Sequence, residues 1–581
     1  MIDTEGIWVA DFETTTEQDY REDGYVRVYL WHARHLPDDR TASGTDIASF
    51  IDFASKRNVR MVWFHNLKFD GSFILNHILD SSWEWAEKQD RTKPTYDHIV
   101  TDTGQWMELT LRFGRHVCTF RDSAKKFPGF SLEEVARTYG IKGKTSLDTH
   151  IRRGPDHVVT PEEVERVEND TRILRTAMCD LYARGMTAMT MASDAKRCYR
   201  RMWDESFSSE VVATHKWKRT FPELSLDDDR FIRAAYKGGW VYVNPAHRGR
   251  DVRMVHTYDV NSMFPDKMRN KPLPVGRPVR REPKEGELYI VHFDAMFSIK
   301  PGRFPTVQTK NSFRHMEAEY ITESEGYMHL AMTNIDYELF HEQYDVISEQ
   351  NHEYMVFSSQ EHLFDTYVDH WMAEKVRCKE EGDPAGEATA KRYLNSLYGK
   401  TAESPTKMSK MSTLSSGVIK WETVTTEGST WYPPIGVFIT AYARDQIVRS
   451  AQVFGDDFIY ADTDSIHCIN AKVHEAELDV HYSRLGAWKW ESVSYKGRYI
   501  RPKTYAHLTQ CNMKQDSEGR WYCKSVDGFE VKAAGMTDAC KSNLTWDNFH
   551  AGVEVEGKLA GRQVPGGYCL AETTYRIKVT T

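Results

Sequence analysis

Cysteine is scarce in this chain, with nine in 581 residues, at 118, 179, 198, 378, 468, 511, 523, 540 and 569. The count is odd and no two are separated by two residues, which argues against a disulfide framework or a zinc ribbon and fits a reducing cytoplasm. Long apolar runs are missing too. The longest are strand-sized, and no basic region followed by an apolar stretch opens the chain, so neither a membrane span nor a signal peptide is expected. Low-complexity segments and internal repeats are absent. A positive balance is also absent: the net charge is −9, which on its face disfavours a nucleic-acid partner. Acidic metal sites can mask local basic tracks, however. Such tracks run through Lys196, Arg197, Arg200 and Arg201, then Lys216, Lys218 and Arg219, then Arg248, Arg250 and Arg253, and finally Lys496, Arg498, Arg501 and Lys503. With 40% apolar and 12% aromatic residues, the chain has material for several cores and exceeds one compact domain.

The most informative segment is Tyr460-Ala461-Asp462-Thr463-Asp464-Ser465. Apolar flanks predict strand, tight turn, strand, with two carboxylates at the tip. Like charges held that close cost stability unless a cation neutralises them, and Mg²⁺, a hard ion, suits carboxylates and phosphates. A second acid lies in the apolar run His256–Val260, which predicts a strand closed by a turn at Pro265. Asp259 there needs an ion pair or a metal.

The N-terminal third has its own acids. Ile7–Thr14 predicts a central strand, and period two sets Asp11 and Glu13 on one face, roughly 7 Å apart. That spacing suits a pair of divalent ions about 4 Å apart, the arrangement that hydrolyses phosphodiesters. The strand Met61–Phe64 delivers Asp70 just beyond its end. Asp170 falls in a helix that opens with Thr160 as cap, Pro161 in the first turn and Glu163 closing a capping box. Taken singly, each of these acids also fits a turn or a cap.

Together, Asp-x-Glu, Asn-x₃-Asp and a helical Asp in that order resemble the DEDD-type 3′–5′ exonucleases, whose fold is like ribonuclease H. That resemblance implies Asp11, Glu13, Asp70 and Asp170 as metal-binding catalytic acids, Lys144 as an assisting lysine, and Asn66, Phe69 and Ser123 as DNA contacts. It also exposes a departure: Arg166 stands where the family has the water-orienting Tyr. A retained but slower exonuclease is expected.

Further on, Lys391, Asn395 and Tyr398 fall on one helical stripe that Gly399 should end, although a lone lysine there also fits a solvated face. Asp259 to Pro265, Lys391 to Gly399, Tyr460 to Ser465 and Lys503-Thr504-Tyr505 stand in the order of motifs A, B, C and KxY of family B DNA polymerases. Tyr236-Lys237-Gly238-Gly239-Trp240 fits the same family as a DNA-contacting linker. The match is best with its protein-primed branch, from small tailed phages and linear plasmids.

The resemblance implies an α/β and α+β multidomain chain: a ribonuclease H-like exonuclease domain over 1–195 and a right-hand polymerase over 196–581. Motif A spans 256–265, a first terminal-protein-region insertion 271–365, fingers 366–400, a second insertion 404–428, motif C 458–468, KxY 503–505 and a small thumb 535–581. It implies that Asp259, Asp462, Asp464 and the Val260 carbonyl bind two Mg²⁺ ions, or Mn²⁺ in their place. Lys391, Lys379, Asn395, Tyr398 and Phe264 would meet the nucleotide; Tyr236, Gly238, Gly239, Lys503 and Tyr505 would meet DNA. Glu387 replaces a lysine of relatives, and Phe264 replaces a frequent Tyr while keeping the ring that excludes a ribose 2′-OH. Expected partners are primer-template DNA, dNTPs and a terminal protein, for a monomer in the cytoplasm of a bacterial host. Two other readings stay open at this point: a DNA-primed family B polymerase, and a non-catalytic nucleic-acid-binding relative.

Overall fold

The computed structural model describes residues 3–86, 92–144, 151–308, 320–428, 430–515 and 521–578. An eight-stranded mixed sheet forms the N-terminal unit. The strand Ile7–Thr14 sits inside it, paired antiparallel with Val28–His35 and parallel with Met61–Phe64, which in turn runs parallel to His116–Asp122. Its apolar residues are buried on both faces, as the run without polar alternation predicts. The helix Pro161–Ala183 packs across this sheet, and its capping box forms as expected: Thr160 accepts from the Glu163 amide and the Glu163 carboxylate from the Thr160 amide.

Asp70 lies beyond the end of the strand Met61–Phe64, as expected, in the first turn of the helix Leu67–Asp80, which is entered through Asn66 at φ 69°. Two local expectations are corrected. The motif around Asp259 does not end in a turn at Pro265. Ser262, at φ 52°, starts the helix Met263–Asn270, and Pro265 sits early in that helix, where no intrahelical donor is lost. Gly399 does not stop its helix, which runs Pro384–Thr401 because the buried Leu394, Leu397 and Thr401 carry the packed face past it. The 195/196 boundary falls inside a helix, Met191–Glu205, whose buried face joins a core that includes Tyr367 and Tyr393 as well as Ile7 and Trp63 of the N-terminal unit.

A seven-stranded antiparallel sheet forms the second unit. Its central strand, Asp251–Val260, lies between Ser465–Cys468 and Trp488–Arg501. The helix Pro433–Phe454, buried along nearly its whole length, packs behind the sheet against Tyr258, Phe458, Ile466 and Trp488. The segment expected as the first insertion forms a four-stranded sheet with the helix Asn334–Gln343, and 404–428 forms a two-stranded hairpin. A C-terminal hairpin, Glu554–Val564 with Gly567–Arg576, reaches back to the N-terminal unit, where the Val26 amide donates to the Pro565 carbonyl at 2.9 Å.

Arg444 of the buried helix ties three of these parts together. It forms a two-bond ion pair with Asp336 at 2.9 and 2.6 Å and donates to the carbonyls of Lys237 and Gly238 at 2.7 and 2.9 Å. Arg444→Leu should strand Asp336 as an unpaired buried carboxylate and cost about 3–5 kcal/mol. Denaturant unfolding of Arg444→Leu beside the Arg444→Leu/Asp336→Leu double variant checks this, with much of the loss expected to return in the double variant.

Candidate active sites

The N-terminal acids converge on a cleft of about 720 Å³, lined by Asp11, Glu13, Asp70, Lys144, Arg153 and Arg166 on one side. The C-terminal hairpin closes the other side with Leu559, Tyr568, Leu570 and Glu572. The Phe12 amide, between the two strand acids, donates to Asp70 Oδ1 at 3.2 Å, pinning the helical acid to the strand. Asp170 is 1% exposed, and its Oδ1 accepts no hydrogen bond. Lys144 Nζ stands 2.8 Å from its Oδ2, and Arg166 Nε stands 2.9 Å from Glu13 Oε1.

These acids are hard to ionise. Burial and then the charges of Asp70 and Asp170 push the Asp11 carboxyl well up. Burial raises Asp70 to about 8, and raises Glu13 to about 7 even against the nearby Arg166. Lys144 is held above the ordinary lysine value, burial being outweighed by Asp11 and Asp170. Asn66 and Phe69 line the cleft, but Ser123 does not: it is fully buried, with Oγ 3.0 Å from His65 Nδ1.

The second cluster is built by two strands meeting at their ends. The Val260 amide donates to the Asp464 carbonyl at 2.8 Å, fastening the Asp259 strand to the Asp462-Thr463-Asp464 turn. Thr463 takes φ 63° in that turn, and its amide donates to the Trp240 carbonyl at 3.0 Å. Gly239 lies so close that an added Cβ would come within 2.8 Å of the Thr463 side chain, which explains the glycine.

The three acids are not equivalent. Asp462 is committed: its Oδ1 faces Lys503 Nζ at 2.7 Å and Thr463 Oγ1 at 3.1 Å, and its Oδ2 accepts from the Tyr460 hydroxyl at 3.1 Å. Asp259 Oδ1 is buried and unpartnered. Burial, then the charge of Asp464, raises Asp259 to about 7, and burial, then Asp462, raises Asp464. Phe264 stacks on Tyr398 with ring centroids 4.1 Å apart, while Lys391 and Asn395 are exposed on the same helical stripe. Lys391 is paired with Glu387 at 2.7 Å. Tyr236 and Tyr505 are half-buried, and Lys379 and Gly238 are exposed.

Both clusters suit hard divalent ions in their donor chemistry: oxygen only, with unpartnered buried carboxylate oxygens and a lysine ammonium resting against one acid of each. Among the described residues, no three His, Cys, Asp or Glu side chains are already gathered into a cage, as expected where like charges repel.

A family model described as DNA polymerase type B, organellar and viral, matches residues 155–480. This chain belongs to that family. The DNA polymerase of Bacillus phage Nf is 33% identical, across 98% of this chain and 99% of its own length, and that of Streptococcus phage Cp-1 is 31% identical, across 99% and 96%. Among solved structures, Phi29 DNA polymerase with primer-template DNA has a TM-score of 0.86 at 31% identity, covering 98% of this chain and 100% of that one. Its ternary complex with incoming nucleotides gives 0.85 at 30%, covering 99% and 100%. The protein is thus a DNA-directed DNA polymerase, a nucleotidyltransferase of a kind that joins polymerase with 3′–5′ exonuclease activity in one multidomain chain.

Sequence reasoning missed several groups in the polymerase. Arg153 lines the N-terminal cleft, 2.7 Å from Glu163, and Tyr460 links the turn to Lys503, whose amide donates to its hydroxyl at 3.1 Å. Lys375 lies one turn before Lys379 on the helix Asp365–Glu381, a spacing that could have flagged it. Two basic tracks are partly spent on ion pairs, Arg200 with Asp204 at 2.9 Å and Arg498 with Asp251 at 2.7 Å.

Asp70, Glu13 and Asp259 titrate at about 8, 7 and 7 in the folded protein, above their ordinary 3.8, 4.5 and 3.8. The folded state therefore binds these protons more tightly, and the stability they contribute, complete below about pH 4, is lost as pH rises to about 8. In metal-free buffer the melting temperature should fall from about pH 6 to 8, and Mg²⁺ should restore more of it at about pH 8 than at 6. Thermal melts with and without Mg²⁺ across that range check both.

Proposed function

We propose that this polymerase replicates a linear phage-type genome in the cytoplasm of a bacterial host, starting on a terminal protein, with 3′–5′ proofreading and strand displacement. The observation that carries the reading is the pair of buried carboxylate clusters on one chain, one pinned by Phe12 to Asp70 and the other by Val260 to Asp464.

In the second cluster, Asp259, Asp464 and the Val260 carbonyl hold the metals, with Asp462 in support. Bound there, paired Mg²⁺ ions would lower the pKa of the attacking hydroxyl and stabilise the pyrophosphate leaving group. The hydroxyl oxygen, from a primer 3′ end or a terminal-protein side chain, bonds to the α-phosphorus as the bond to the bridging β-phosphate oxygen breaks. Lys391 swings from Glu387 to the triphosphate, with Lys379 beside it. The Phe264 ring, braced on Tyr398, fills the space a ribose 2′-OH would need, and Asn395 shares that stripe. Lys503 and Tyr505 hold the primer strand, while the Tyr236-Gly238-Gly239 linker meets the template. In the first cluster Asp11, Glu13, Asp70 and Asp170 hold the metals for hydrolysis, Lys144 steadies the acids, and Asn66 and Phe69 receive the frayed 3′ end. Ser123 acts there through His65. The sheet at 273–360 and the hairpin at 406–427 serve as the two terminal-protein-region insertions.

Asp464→Ala should abolish primer extension and spare Mg²⁺-dependent 3′ digestion, whereas Asp11→Ala with Asp70→Ala should do the reverse. Gel assays of both activities test this; loss of both in either variant would overturn the two-site reading. Arg166→Tyr frees Glu13 and should speed digestion severalfold. Incubation with labelled dATP and the protein products of the same genome tests priming: covalent label on one small protein supports it, and extension from DNA primers alone identifies a DNA-primed enzyme.

A further inference from the structure

Lys489 lies directly opposite Asp259 in the antiparallel ladder between Trp488–Arg501 and Asp251–Val260. Opposed residues project from the same face of a sheet, so the Lys489 ammonium shares the face that carries Asp259. It pairs with Glu491 Oε1 at 2.7 Å and keeps 41% of its side chain exposed. Glu491 also bears on Asp259, its charge adding to burial and to Asp464 in raising that carboxyl.

Lys375 lies on the helix Asp365–Glu381. Burial, and then the ammonium groups of Lys391, Lys379 and Lys489, hold it below the ordinary lysine value, with Glu387 opposing. Lysines from three separate elements thus lie near enough for their charges to reach Lys375, and of these Lys489 also bears on Asp259. Two carboxylates thin that charge, Glu387 on Lys391 and Glu491 on Lys489. Such a gathering of cations is unfavourable by itself and favourable once a polyanion enters. A pair as exposed as Lys489 with Glu491 contributes little, so it opens readily.

Resting on the reading of Asp259 and Asp464 as the nucleotidyl-transfer site, we propose that Lys489 binds the triphosphate of the incoming deoxynucleotide from the sheet side, facing the lysines of the two helices. Glu491 parks its ammonium between turnovers. Because Glu387 neutralises part of the helix side, the sheet side supplies the missing cation.

Single-nucleotide insertion by the full chain on a primed template tests the proposal. Lys489→Ala should raise KM for the dNTP about tenfold, the size of one charge-assisted hydrogen bond, with kcat changed little. Lys489→Arg should keep most of the affinity, and adding Glu387→Lys to Lys489→Ala should restore it by returning a cation from the other side. Digestion of single-stranded DNA should not change. An unaltered KM in Lys489→Ala, with wild-type extension intact, overturns the proposal and leaves the polymerase site standing. A fall in both activities with a lowered melting temperature, rescued by neither Arg nor the second-site lysine, marks a structural ion pair and also overturns it. Absence of extension by the wild-type protein would instead defeat the site reading on which the proposal rests.

Discussion

Repulsion among buried carboxylates is the constraint on which the architecture turns. Each cluster gathers acids that would spread apart on flexible loops, and each is held by backbone. In one, the Phe12 amide reaches the Asp70 side chain; in the other, the Val260 amide closes on the Asp464 carbonyl. The sheets supply stiffness, and a lysine placed outside the strands supplies positive charge, Lys144 against Asp170 and Lys503 against Asp462. Two unrelated sheets reach the same arrangement: acids fixed first, counter-charge added by a side chain free to move. Each ammonium group offsets part of the negative charge of its acid.

Much of this was legible in the sequence because it is local. Asp11 with Glu13, the capping box at Thr160, and the Asp462-Thr463-Asp464 turn each follow from period, cap and turn chemistry within a few residues. Where the reading failed, tertiary packing overrode a local signal. Pro265 and Gly399 look like stops, yet one sits where a helix tolerates proline and the other is carried through by buried neighbours on either side. The helix that carries Asp70 has no start signal in the sequence, because Asn66 enters it in a left-handed conformation without a side-chain cap.

Other features leave no local trace. Lys489 is one lysine among many until the ladder sets it against Asp259. Ser123, expected as a DNA contact, is buried in a short helical turn with its Oγ against His65, which no local pattern announces. The C-terminal hairpin meets the N-terminal cleft through a handful of contacts, such as Gln563 Nε2 to Ser72 Oγ at 2.9 Å, between segments at opposite ends of the chain. The hairpin at 406–427 joins the same seam, where Asn76 donates to the Gly417 carbonyl at 2.8 Å. No periodicity announces a meeting of rims.

Gly239 and Thr463 show how such contacts bind distant positions together. The threonine takes a left-handed backbone in the turn between the two acids, and its side chain fills the space a Cβ at 239 would need. A lineage can therefore acquire a side chain at 239 only after 463 has shrunk or turned away, and a larger residue at 463 has nowhere to go while the linker stays in place. The two positions constrain each other's history, so a swap between relatives that carries one without the other should fail where a swap of both succeeds.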